Sequence, residues 1–225
     1  MIFVGMAVPF KVMVLIPGLT EVRPVNAIPI VAGLLFGPAG AWGCAFGNLA
    51  ADFFGTFSIA SVFGFVGNFV AAYLPYKIWH ITCSGEVPNV KTHKNIGRFV
   101  FMSAAASLCV AVILSFSLDV LNMVWGSSIF LMVFLNDLGF SLILGLPVFI
   151  VLTSDQLNIK AVIPENVSYS KNNLIFKKLL LLIIVASGIV FSFGVLRSAR
   201  LLESSVMVVS SVMFGAALAA FMIKK

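Results

Sequence analysis

Charge is what this sequence has least of. Only 10% of its 225 residues are Asp, Glu, Lys or Arg, against about 25% in a soluble domain. That is too few to cover a water-facing surface. Histidine is nearly missing, and His80 and His93 fall in one polar stretch without metal-ligand spacing. No HExxH, GxSxG or Walker sequence occurs, which removes zinc-peptidase, serine-hydrolase and P-loop chemistry. The three cysteines, Cys44, Cys83 and Cys109, form no CxxC pair and read as reduced packing residues. Asp52 and Asp137 are two carboxylates in apolar runs, but neither stands in the Gly-x-Gly-Asp context of an intramembrane aspartyl protease. The expectation is therefore no enzyme, no metal and no cofactor.

Hydrocarbon is what the sequence has in excess. Hydrophobic residues make up 61% of the chain, and its mean hydropathy is +1.13. The runs are long, and a spanning helix needs roughly 20 mostly apolar residues. They are continuous and not alternating, which excludes a transmembrane barrel. The fold class expected is all-α, a polytopic membrane helix bundle. The runs are 1–16, 27–36, 38–55, 58–79, 99–120, 125–152, 179–196 and 206–223. Pro38 suits a helix start, where a missing N–H costs nothing. MIFVGMAVPF has no basic segment before its apolar residues and reads as the first helix, not as a cleaved signal. Three regions follow: a membrane core over 1–152, a polar loop over 153–178 and a C-terminal helix pair over 179–225.

The net charge of +6 points to topology, not to nucleic acid. Lys77, Lys91, Lys94 and Arg98 gather in one loop and its flank, Lys160, Lys171, Lys177 and Lys178 in another, and Lys224 and Lys225 end the chain. Alternating helices put all three groups on one side and leave Arg23, Arg197 and Arg200 on the other. The positive-inside rule makes the first side cytoplasmic. The expectation is a multi-pass protein of a prokaryotic plasma membrane, with both termini inside and the 17–26 loop outside. The Asn166-Val167-Ser168 sequon is then cytoplasmic and carries no weight.

The informative stretch is GPAGAWGCAFGNLAADFFG, residues 37–55. On a helix, Asn48 and Asp52 lie one above the other. Gly43, Gly47 and Ala51 form a small-residue row beside them that lets helices approach closely. Counting from Pro38, Asp52 lies about 20 Å along the axis. Lys11 and Asn68 fall near that level, Asn136 and Asp137 near mid-membrane, and Glu21, Arg23 and Asn26 in the loop above. Asp119, Asn122 and Trp125 sit at the outer turn. The polar atoms thus collect in the outer half, the signature of a cavity opening outward. An ionisable residue inside a membrane is by default a functional-site hypothesis. The structural alternative is a Lys11–Asp52 pair that only fixes helix positions. Trp42, Phe46 and Phe53 could face a substrate ring or serve as packing and interface anchors.

EVRPVNAIPIVAGLLFGPAGAWGCAFGNLAADFFG (21–55), with SVFGFVGNFVAAYLPYKIW (61–79), resembles the N-terminal half of the substrate-binding S component of energy-coupling factor (ECF) transporters. The shared features are an outer Arg-Pro loop, a short proline-bearing helix, and LFGPxxG leading into a glycine-rich helix with an acidic end. The resemblance implies a six-helix S-component-like core over 1–152, with two extra C-terminal transmembrane helices. It implies capture of a small water-soluble micronutrient, a vitamin or precursor, in an outer pocket capped by the 17–26 loop. It also implies docking on a transmembrane coupling subunit with two ATPases, through small residues whose counterparts are Gly5 and Ala7. On this reading Glu21, Arg23 and Asn26 form the lid, while Asn48, Asp52, Asn68 and Asp137 bind the polar edge of the substrate and Trp42 its ring. Two other readings stay open. One is a proton-coupled secondary transporter with Asp52 and Asp137 as carriers. The other is a membrane scaffold in which the polar residues only hold helices together.

Overall fold

The computed structural model describes residues 1–10, 13–16, 20–55, 57–83, 85–123, 126–155, 157, 159, 161, 171–197 and 205–223. The chain is a helical bundle: α1 (Ile2–Ala7), α2 (Ile28–Asp52), α3 (Ala60–Thr82), α4 (His93–Val120), α5 (Gly126–Phe140), α6 (Leu146–Leu152), α7 (Lys171–Arg197) and α8 (Ser205–Ile223). Five stretches are long and apolar enough to cross a membrane, Pro24–Asp52 among them.

That first stretch is two helices, not one. Gly37 has φ +56° and ψ −134° in the middle of α2, a backbone conformation open to glycine and costly for other residues. A side-chain carbon on Gly40 would lie 2.1 Å from the carbonyl oxygen of Ala32. Eight residues along a straight helix would separate these positions by about 12 Å. The chain therefore reverses at Gly37-Pro38, and arms 28–36 and 38–52 lie back to back. The sequence expectation of separate helices on either side of this dipeptide holds.

Helix α3 is the strut of this hairpin. Ala72 packs on Gly33 of the first arm, so closely that a Cβ there would sit 1.8 Å from the Ala72 oxygen. Tyr76 packs on Gly37 at the bend, and Gly64 faces Asn48 of the second arm. Asn68, Lys77 and His80 of α3 are all buried, which is how a helix with this much polar content sits inside an apolar bundle. Helices α4 and α5 close the other side, and Phe99, Cys109, Ala111 and Phe149 are fully buried between them and their neighbours. A π-helical turn, Ser141–Gly145, joins α5 to α6.

Two expectations need correction. The run over 1–16 is not one helix: α1 and a 3-10 turn (Val8–Phe10) end at Phe10, and β1 (Val14–Ile16) pairs antiparallel with β2 (Thr20–Glu21). Pro9 lacks the N–H that a continuing helix needs. The polar loop ends before 178, because α7 begins at Lys171 and buries Lys177 completely. Asp119 accepts the Gly126 N–H at 3.0 Å. Lys11, Trp125, Lys160, the Asn166 sequon, Arg200 and Lys224-Lys225 lie outside the described residues.

The α3–α4 loop is built around Glu86. Its carboxylate accepts from Asn95 Nδ2 at 2.8 Å and Asn89 Nδ2 at 3.0 Å, and its carbonyl accepts Trp79 Nε1 at 2.8 Å. The Asn95 and Asn89 hydrogen bonds, with Arg98 nearby, hold the Glu86 carboxyl below its ordinary pKa.

Gly37→Ala tests the reversal. A Cβ there would meet the Tyr76 ring at 3.0 Å on top of the backbone strain, a combined cost of about 2 kcal/mol or more. The melting temperature in detergent is expected to fall by several degrees. Gly43→Ala, where a Cβ meets nothing within 4 Å, is expected to leave it unchanged.

Candidate functional site

The site forms where the 3-10 turn Pro24–Ala27 crosses the open end of the hairpin. Pro24 starts the turn, with Arg23 just before it and Asn26 inside it. The two side chains reach in different directions. Arg23 Nη2 donates to Asn48 Oδ1 at 2.5 Å. Asn26 Nδ2 donates to Asp137 Oδ1. The Asn26 carbonyl accepts from Ser141 Oγ at 3.3 Å. The turn is thus fastened to the second hairpin arm on one side and to α5 and the π-helical turn on the other.

Behind Arg23 the polar chain continues. Asn48 Nδ2 donates to Asp52 Oδ2 at 3.3 Å, the one-turn spacing legible in the sequence. The Asn48 amide fits because Gly64 faces it: a Cβ on Gly64 would lie 2.8 Å from Asn48 Nδ2. Asn68 donates to the Gly64 carbonyl one turn earlier at 2.9 Å. Asn48 and Asp52 are buried at 0% and 5% exposure, as amides and carboxylates in a membrane must be.

Under the turn lies a cavity of about 50 Å³. Arg23, Asn26, Asn68, Ser107, Asn136, Asp137 and Ser141 supply its polar lining, and Ile30, Val110 and Val133 are among its apolar walls. Of the residues nominated from sequence, Arg23, Asn26, Asn68 and Asp137 meet at this cavity. Asn48 and Asp52 stand one step away, Asn48 bonded to Arg23 and Asp52 to Asn48. Trp42 is not brought to it. That ring is 49% exposed and packs on Phe69 at 4.7 Å between centroids, with Phe46 and Phe65 alongside. The reason is helical phase, since six residues place Trp42 about 120° around the helix from Asn48. Phe46 and Phe53 are likewise exposed. The backbone of Glu21 is in β2, but its side chain is outside what is described. The Lys11–Asp52 pair is also outside it.

Sequence reasoning missed two lining residues. Ser107 gave no signal, because a serine in an apolar helix commonly bonds its own backbone, as Ser103 does to Phe99. Ser141 did give one, since it follows Asp137 by four residues. Asn136 was noticed as a mid-membrane amide and not nominated. Among the described residues no three His, Cys, Asp or Glu gather as metal ligands would.

The set offers a carboxylate acceptor, guanidinium donors, three amides and two hydroxyls against apolar walls. That is the complement of a small molecule with both donor and acceptor edges. At roughly 10–15 Å³ per water, the cavity holds about four waters.

A family model, the QueT transporter family, matches residues 2–154. The chain belongs to that family, and the resemblance to an ECF S component read from 21–79 holds. It is a membrane transport protein with the helical bundle expected of it. Comparison with curated proteins and with solved structures gives no match.

Asn48→Ala removes the amide shared by Arg23 and Asp52. Losing these two hydrogen bonds costs about 1–3 kcal/mol, so the melting temperature is expected to fall and proteolysis within 20–27 to quicken. Trp42→Leu is expected to change neither ligand binding nor the proteolysis of that segment.

Proposed function

We propose that this chain is the substrate-capturing subunit of an ECF-type importer and that its substrate is a queuosine precursor. One observation carries the reading: a polar cavity inside an apolar bundle, spanned by a short turn that Arg23 and Asn26 fasten on opposite sides. A site of this form encloses a molecule and withdraws it from water. Family membership supplies the substrate class, and the lining supplies the means of holding it. Asp137 accepts from the substrate, Arg23 donates to it, and the Asn68, Asn136 and Ser107 side chains meet its remaining polar edge. In so apolar a pocket each hydrogen bond is strong when made and costly when unmade.

The Arg23 end faces outside in this reading, and both termini are cytoplasmic in the plasma membrane. The charge pattern supports the orientation, since Lys91, Lys94 and Arg98 flank the far end of α3 and the start of α4. The chain has no Walker sequence, and in this reading energy for import comes from partner ATPases through a transmembrane coupling subunit. A heterocycle is larger than 50 Å³ of free space, so loading requires the 20–27 segment to lift and close again.

Mass spectrometry of small molecules released from purified, denatured protein tests this directly. Wild type is expected to yield a queuosine precursor and Arg23→Ala to yield little, because losing charged hydrogen bonds lowers affinity about tenfold or more. A well-folded wild-type protein that binds no such molecule overturns the reading. Uptake that persists without ATPases and collapses with an uncoupler would replace it with proton-coupled transport.

A further inference from the structure

We infer that the Asn26 amide is a stand-in for the substrate, holding the acceptor position on Asp137 that an N–H group of the bound molecule takes over. This rests on the capture reading above and gives the substrate a required chemistry.

The argument begins with Asp137. It lies half-buried on α5 and lines the cavity together with Arg23, Asn26, Asn136 and Ser141. A carboxylate so placed needs hydrogen-bond donors. Asn26 Nδ2 is one. That donor lies ahead of α2, in the first turn of the Pro24–Asp52 stretch. It sits on a four-residue 3-10 turn, which Arg23–Asn48 and Ser141–Asn26 also hold down.

The second step is volume. About 50 Å³ remains under the turn, too little for a heterocycle. A molecule seated against Asp137 must therefore move Asn26 away from it, which strips the carboxylate of that donor. The exchange is favourable only if the incoming molecule brings a donor of its own. The substrate edge at Asp137 is thus an N–H edge: an amine, an amide or an amidine-like ring edge. A molecule offering only acceptors there would face the carboxylate with like partial charge and be refused. Asn26 thereby serves as an internal competitor and as a filter, distinct from a residue that simply adds a contact.

The sign of one substitution separates these roles. The probe is the queuosine-precursor base recovered from wild-type protein, titrated calorimetrically into wild type, Asn26→Ala, Asn26→Ser and Asp137→Asn. Removing the competitor is expected to tighten binding about tenfold in both Asn26 variants, and removing the acceptor to weaken it by a similar factor or more. Weaker or unchanged binding in the Asn26 variants overturns the inference and leaves the capture reading standing. A wild-type protein that binds no such base overturns both. The wild-type protein offers a second test that needs no variant: the same base with its N–H donors methylated is expected not to bind, and retained affinity would overturn the inference.

Discussion

The site depends on a single backbone reversal. Asn48 follows Arg23 by 25 residues and meets it only because the chain turns back at Gly37, where φ is +56°. Were 28–52 one straight helix, Asn48 would lie about 30 Å along its axis from Ile28, beyond reach of Arg23. The bend needs a glycine for its dihedral angles and for the Tyr76 ring against it, and it needs a residue such as Pro38 to start the second arm. Gly33 then lets α3 pack on the first arm, and Gly64 leaves room for the Asn48 amide. Local backbone chemistry thus sets the distance between Asn48 and the Arg23 that lines the cavity.

The bilayer supplies the second constraint. With no water to solvate them, polar side chains inside the bundle must satisfy one another. Asp52 takes the Asn48 amide, Asn48 takes Arg23, and Asp137 takes Asn26. These contacts hold the 23–27 turn as a strap, and they are also the hydrogen-bonding groups a polar substrate would use. A membrane protein that closes over a polar substrate can economise in this way. On the proposed function, the bonds that hold the turn are made by the groups that a bound substrate would redirect.

Much of this was legible in the sequence, and the part that was not has physical reasons. Helix number and the break at Gly37-Pro38 could be read because hydrophobic length and proline chemistry are local. The Asn48–Asp52 pair could be read because four residues make about one turn. The joining of Asn26 to Asp137 could not, since 111 residues separate them and only tertiary packing decides the match. Trp42 stands apart from the cavity for a different reason. In water a large ring near polar residues points inward, but lipid accepts aromatic rings on the outside, so hydrophobicity stops reporting which face is buried. Its phase relative to Asn48 was the better guide. The first run misled because hydropathy counts apolar residues and ignores that Pro9 stops a helix as a donor-less residue.

The C-terminal pair α7–α8 lies beyond the matched residues 2–154, yet it is built into the core. Gly188 admits Leu108 of α4, and Phe191 meets Phe130 of α5 at 6.1 Å between centroids. The most telling contact is polar. Lys77 Nζ donates to the carbonyls of Phe221 at 3.0 Å and Met222 at 2.6 Å, in the last turn of α8. A buried ammonium and the unpaired carbonyls at a helix end are each costly in a membrane. Together they satisfy each other, and the negative end of the helix dipole adds to the attraction. Lys77 sits on α3, about 14 Å along the axis from Asn68. The added pair therefore grips the strut of the hairpin at the end away from the cavity. On the proposed function, what is held and what opens are set on opposite ends of the same helix.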